Sequence, residues 1–310
     1  MLKRFTLLLA VCVAIPLITI SQNKDAQKIL DHVRETQQEQ LEGIKDLTIK
    51  TEDATKYQKW KNEGSERIFT FRNEQKIMGQ TQITVYDGKY LYTKNLGSGE
   101  VTKVERNLNP LDFFNSLEEM DPQYAGDETI NGNPCHVLKI SDMAMEDMIN
   151  PTTGEKVVPE RTQGLENATI DATFYIDKNQ WVFRKMAFKA KGMMMAGRER
   201  SVNSIMEMKD YSDRDGYLMP YKTVTQMEID MTKEEKKQLK EAKRSMEEMK
   251  EKMEDMPESE RKMMEQYMKP QMEKMQENML FNGQMEQVEI VEEVKTNSGL
   301  SDDLFDGSKL

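Results

Sequence analysis

The sequence predicts an α+β fold: an incomplete antiparallel β-barrel, with covering helices and one long inserted helical hairpin. Three observations point there. Residues 169–227 alternate apolar and polar positions on either side of two polar turns, Asp177-Lys178-Asn179-Gln180 and Asp213-Arg214-Asp215-Gly216. Residues two apart share a strand face, so such runs suit a sheet that is wet on one side and apolar on the other. Further short strand-like runs precede this region, interrupted by a single helical segment. A block of charge and methionine at helical spacing then separates two of the last strands.

Taken in order, Lys3 and Arg4 precede an apolar run over 5–20, with the small residues Thr19 and Ser21 at the end. This is the pattern of a cleaved signal peptide over 1–21, with the mature chain starting at Gln22 and released to the periplasm. The run is short and interrupted by Pro16, which argues against a transmembrane helix. A lipoprotein signal modified at Cys12 is the competing reading, and Val11 is a poor residue to precede such a cysteine. Loss of Lys3 and Arg4 moves the formal net charge from −11 to −13 and leaves 289 residues as one domain, 22–310. That charge argues against nucleic acid and against docking on anionic headgroups.

Residues 24–45 read as an amphipathic helix on Ala26, Ile29, Leu30, Val33, Leu41 and Ile44, with the stripe broken over 36–40. Strands are expected at 47–51, 67–72, 81–86, 89–94 and 101–105, and Asp87-Gly88 is a two-residue hairpin signal. Asn109 is placed as the cap and Pro110 in the first turn of a helix running to Leu117. Strands resume at 124–130 and 136–141, and 142–167, with Pro151, Gly154, Pro159 and Gly164, reads as a loop. In the second hairpin, Gly216 is suited to a positive φ.

The insertion is 232–279. Thr232 and Glu235 have capping-box spacing. Met246, Met249, Met253 and Met256 form one stripe, and Met264, Met268, Met272, Met275 and Met279 a second, separated by Pro257. A helical hairpin projecting between adjacent strands at 217–230 and 284–295 follows. The two stripes suit a seam within the hairpin, or an adaptable lid whose candidates are Met249, Met253, Met264, Met268 and Met272.

Tyr175-Ile176-Asp177, Trp181 to Lys185, the run Asp210-Tyr211 through Gly216 to Pro220, Glu128 through Cys135 to Lys139, and Val294 to Phe305 together resemble the periplasmic outer-membrane lipoprotein carriers and lipoprotein-sorting proteins (LolA/LolB-like). The resemblance covers most of the chain from about Gln27 onward, outside the insertion. It implies a half-barrel whose apolar concave face holds lipoprotein acyl chains or other lipid. It also implies an inner-membrane releasing complex and an outer-membrane acceptor as partners. The fold also serves envelope-stress sensors, so an interaction protein is the alternative function. The family's basic residue for lid control maps to no single position, with Arg67 and Arg72 both nearby.

The expected apolar pocket is Trp60, Phe69, Phe71, Ile83, Val85, Tyr90, Tyr92, Phe113, Phe114, Trp181 and Phe183; an ordinary packed core is the competing account. Burial of acyl chains gains about 0.8 kcal/mol per CH2, so a carrier must hold them reversibly. Catalytic chemistry has little to build on. Cys135 and His136 are adjacent in a strand and point to opposite faces, which leaves Cys135 a small buried hydrophobe, His136 an exposed strand residue and His32 on the wet face of its helix. One cysteine in the mature chain excludes an internal disulfide. No zinc spacing, phosphate loop or nucleophile elbow occurs, and no cofactor is expected. A weaker reading takes Met193, Met194, Met195, Met206 and Met208 as thioether ligands for Cu(I).

Overall fold

A computed structural model describes residues 23–63, 66–77, 80–94, 99–144, 168–195, 197–254 and 284–310. The expected signal peptide, most of the 142–167 loop and the second half of the insertion lie outside the described residues, including Met264, Met268 and Met272.

Helix α1 covers 23–42. Six strands follow: β1 (Asp46–Thr51), β2 (Ala54–Glu63), β3 (Glu66–Ile77), β4 (Gln80–Tyr86), β5 (Tyr90–Lys94) and β6 (Val101–Glu105). After α2 (Asp112–Glu119) come β7 (Gln123–Ile130), β8 (Asn133–Ala144), β9 (Thr169–Asp177), β10 (Phe183–Met195), β11 (Arg198–Arg214) and β12 (Tyr217–Ile229). Helix α3 (Lys233–Glu254) precedes β13 (Gln284–Thr296), and two 3-10 turns, Asp302–Phe305 and Gly307–Lys309, end the chain.

All strands join one antiparallel sheet in the order β6-β5-β4-β3-β2-β1-β13-β12-β11-β10-β9-β8-β7. The sheet is not closed. Each strand pairs with its sequence neighbour except at two places: β6 and β7 form the outer edges, and β1 is paired with the last strand, β13. β13 is shared in halves. Residues 284–290 pair with β12, whereas 291–296 pair with β1, and the register shifts opposite Lys50 and Thr51. A bulge of this kind bends the strand, so β13 leaves one half of the sheet and joins the other.

Helices α1 and α2 lie on one face. Ala26, Ile29, Leu30 and Val33 of α1 pack with Phe114 and Leu117 of α2 on Leu138, Ile140, Ala172, Phe174 and Ile176. At its far end Leu41 and Ile44 meet Leu47, Ile49, Trp60, Tyr217 and Val294. α1 therefore reaches across the sheet from β8–β9 to β1–β2. The polar break at 36–40 does not interrupt the helix, because the apolar residues on either side are each anchored in a core.

The opposite face is covered near β2–β5 by the C-terminal tail. Lys59 Nζ donates to Leu300 O at 2.5 Å and pairs with Asp302 at 2.7 Å, Lys61 pairs with Asp302 at 3.1 Å, and Lys94 Nζ donates to Leu310 O at 3.1 Å. Strand β2 is absent from the sequence reading for this reason. Its alternate lysines point at the tail rather than forming an apolar stripe.

Other local expectations are corrected in detail. Leu111, not Asn109, is the N-cap of α2, with no side-chain cap bond; Asn109 Oδ1 accepts from Leu111 N–H (3.0 Å) one turn earlier. β10 begins at Phe183, and Trp181 sits in the preceding turn with φ 53°, outside the ladder. Asp215 and Gly216 both have positive φ (55° and 79°), as a two-residue primed hairpin turn requires. At α3, Thr232 Oγ1 accepts from Glu235 N–H (3.2 Å) and Glu235 accepts from Thr232 N–H (2.8 Å), the reciprocal capping box. α3 leaves between the paired strands β12 and β13.

Candidate functional site

Directly paired residues share a face, so the register assigns every strand position. On the helix-bearing face, Trp60 stands opposite Phe69, Gln58 opposite Phe71, Phe71 opposite Tyr86, and Tyr86 opposite Leu91. Ile83, Val85, Tyr90 and Tyr92 occupy the other face. Val85 pairs with Arg72 and Tyr92, and Tyr90 with Glu105. Each i, i+2 pair does share a face, but the pairs do not share one with each other. Val85 is fully buried and Tyr92 nearly so, and a Cβ at Gly307 would lie 2.1 Å from Tyr92 Cδ2. The tail closes over Tyr92, and Ile83 and Tyr90 are partly buried on the same face, so the four lie on the side of the sheet away from the helices.

Phe113, Phe114 and Phe183 fall in the first core. The Phe114 and Phe183 rings stack at 6.2 Å, and Phe183 meets Phe174 at 6.0 Å. Here α1 and α2 seal β8–β10, and the aromatics are consumed by packing. Trp181 lies between the two histidines of the chain, with ring centroids 4.7 Å from His32 and 5.6 Å from His136. His136 is half-buried, not exposed: Nδ1 lies 3.0 Å from Asp127 Oδ1, which also accepts from Tyr124 OH at 2.8 Å, while Lys178 pairs with Asp127. Burial pushes Asp127 up, but the bonds from Lys178, Tyr124 and His136 outweigh it and hold this carboxyl below its ordinary range. Burial and the Asp127 bond push Tyr124 up to about 12. His32, placed on the wet side of its helix, is half-exposed, with its ring tilted 38° to the indole. Cys135 is buried, and burial raises its thiol.

The open part of the helix-bearing face is elsewhere. A cavity of about 980 Å³ is lined by Phe69, Phe71, Leu108 and Pro110, by a polar band including Gln58, Asn73, Gln82 and Thr84, and by 287–290 of β13. Phe71 and Leu108 are buried in a small core with Tyr86 and Leu91, so the apolar wall is rigid. Asn73 Oδ1 is buried without a hydrogen-bond partner. Lys56 and Glu289 pair across the rim at 3.8 Å. Trp60 contributes instead to a second, more polar groove of about 700 Å³ with Glu35, Glu39, Glu42 and Arg67, whose guanidinium lies 5.3 Å over the indole.

Beside the cavity the same face carries methionines. Met186 stands opposite Met206, Met227 opposite Met285, and Met208 is two residues from Met206. All are partly buried. The sequence reading considered only Met206 and Met208 of this group, as copper ligands. The register separates those two from the others proposed: Met193 and Met194 stand opposite Arg200 and Glu199. Met193 is seven strand positions, or at most about 23 Å, from Met186. The inward alternation of 202–208 and 223–227 was the signal that would have found this surface. Met249 and Met253 belong to α3, whose N-terminal end is held by Glu235 to Arg198 and Arg200, both at 2.6 Å. Among the described residues no three His, Cys, Asp or Glu side chains gather as a metal site.

Comparison with protein-family models and with curated proteins finds no match to this chain.

Proposed function

We propose that the protein is a periplasmic carrier or binder of lipoproteins or other acyl lipids, using the sheet as a half-barrel. One observation carries this reading. The helices seal the sheet over β8–β10 and at the β1–β2 end but leave about 980 Å³ open over Phe69, Phe71 and Leu108. The cavity lies within the 300–1,000 Å³ range of ligand sites, with an apolar wall of Phe69, Phe71, Leu108 and Pro110 beside a broader polar rim. The neighbouring surface of Met186, Met206, Met208, Met227 and Met285 supports the same reading, because unbranched thioether side chains adapt to chains of different length. A ligand held by this partly open face remains releasable, as transfer demands.

The test is extraction of the protein, purified without detergent from the periplasm, followed by mass spectrometry. Acyl lipid or lipoprotein should co-purify, and Phe69→Ser should reduce its recovery. Recovery of one partner protein with no lipid would move the function to an interaction protein of the same fold, and stoichiometric copper would move it to metal handling.

A further inference from the structure

We infer that the notch where β13 outruns β1 is a strand-addition site for an extended, basic polypeptide segment. β1 has six residues and β13 thirteen, and β1 covers only 291–296. Residues 284–290 are therefore paired with β12 on one side and, among the described residues, with nothing on the other. A row of alternating N–H and C=O groups at strand spacing is satisfied best by another strand. Unlike the sheet's outer edges, this edge lies inside the strand order, in the lane that a longer β1 would fill.

The surroundings define the occupant. Val288 and Ile290 are among the few large apolar side chains left exposed in the described residues, at 46% and 43%. They lie on the face away from the helices, while Gln287 and Glu289 point to the helix-bearing face, opposite Thr225 and Thr223. A strand added here places alternate side chains over Val288 and Ile290 and the intervening ones in the cavity beside Phe69, Phe71 and the unpartnered Asn73 Oδ1. Backbone pairing then supplies affinity, and the cavity supplies selectivity for alternate side chains. Glu52, Asp53 and Glu289 line the cavity and Glu286 lies on the edge itself, while the two cations of the lining, Lys56 and Arg72, are already paired with Glu289 and Glu74. This balance favours lysine or arginine in the incoming segment. The inference does not rest on an acyl ligand: the edge is open in the lipid-free chain, and lipid in the cavity would compete with the side chains that enter it.

The experiment uses the purified, lipid-free full chain and an eight-residue peptide of alternating valine and lysine. The peptide should slow hydrogen exchange in 284–290. A copy methylated on alternate backbone nitrogens should fail to do so, because it cannot complete a ladder. Val288→Ser with Ile290→Ser should weaken binding roughly tenfold or more while leaving the melting temperature close to the parent's, since both side chains are exposed. Equal binding of the methylated peptide would overturn the proposal. So would slow exchange on the free edge before any peptide is added: at low concentration it would mean the chain fills its own lane, and only at high concentration that a second copy does. Because lipid recovery is measured separately, loss of peptide binding with lipid retained would sink this inference alone.

Discussion

Asp46 and Ser298, 252 positions apart, are joined twice: the Asp46 carboxylate accepts from Ser298 N–H at 2.7 Å and from Ser298 Oγ at 2.8 Å. Its second oxygen accepts from Gly299 N–H at 3.0 Å and Leu300 N–H at 3.3 Å. One carboxylate at the start of β1 thus turns the chain after β13 onto the outer face, where Lys59 and Lys94 hold the tail. Asp46 is 3% exposed. Burial pushes its pKa up, but the bonds from Ser298, Gly299 and Leu300 prevail and lower it.

Replacing Asp46 with alanine should cost on the order of 3 kcal/mol, since charge-assisted bonds are lost and buried donors are left unpaired. The pH dependence has a defined sign. The folded-state pKa lies below the unfolded one, so the contribution is present above about pH 4 and is lost as pH falls through the folded value. Denaturant melts of parent and Asp46→Ala at pH 7 and pH 3 measure it. The gap between them should narrow at pH 3, and a constant gap would remove the charge from the account.

Asp177 and Arg184 form the buried ion pair of the β9–β10 hairpin. Arg184 Nε donates to Asp177 Oδ2 at 2.8 Å, with Asp177 1% and Arg184 9% exposed. Asp177 also accepts from Asn179 and Gln180 N–H, and Arg184 lies 4.6 Å over the Tyr211 ring. Removing one partner leaves the other charge buried, so Arg184→Ala should cost about 3–5 kcal/mol. The double change Asp177→Asn, Arg184→Met should cost less than Arg184→Ala alone. Chemical denaturation of the three variants decides it.

The two faces of β3–β5 are separable by mutation. Gly307→Ala drives a methyl into the Tyr92 ring and should lower stability by about 1–3 kcal/mol with ligand recovery unchanged. Phe69→Ser, on partly exposed cavity wall, should do the reverse. Thermal melts set beside lipid recovery distinguish the pair, and a lipid loss in Gly307→Ala would show that the outer face also serves the ligand.

Much of the sheet was legible from alternation and turn chemistry. Asp87-Gly88 and Asp215-Gly216 marked hairpins, and the strands over 101–105 and 217–229 fell within a residue of their expected ends. What failed was the choice of face. Period-2 reasoning showed that Ile83 and Val85 share a side, as do Phe69 and Phe71, but it could not relate one strand to the next without the register. The tail added a second covered face, so apolar residues were needed on both sides near β4 and β5. β2 carries no apolar stripe because Lys59 and Lys61 serve that tail and Lys56 stands at the cavity rim, and the inward methionines of β10–β13 share their face with Ser204, Thr223 and Thr225, which dilutes the alternation. Trp181 misled for a different reason: its left-handed backbone places it in a turn, against two histidines from distant elements.

The insertion between β12 and β13 offers the remaining test. Glu228 already stands opposite Gln284, so the ladder of these two strands is in register up to the point where the insertion leaves. Replacing 232–283 with a short Gly-Ser turn should therefore preserve the sheet, because a hairpin turn closes neighbouring antiparallel strands at small entropic cost. The change also removes Glu235, which holds Arg198 and Arg200. Exchange should rise locally at the β10–β11 turn as those guanidinium groups lose the Glu235 carboxylate and keep Asp230 O. Circular dichroism should show fewer helical residues with strand content retained. If the insertion contributes to the acyl site, lipid recovery falls while the melt stays cooperative; we expect such a partial fall. Full recovery would confine the site to the sheet face, and a lost β-sheet signal would show that the insertion is needed for folding.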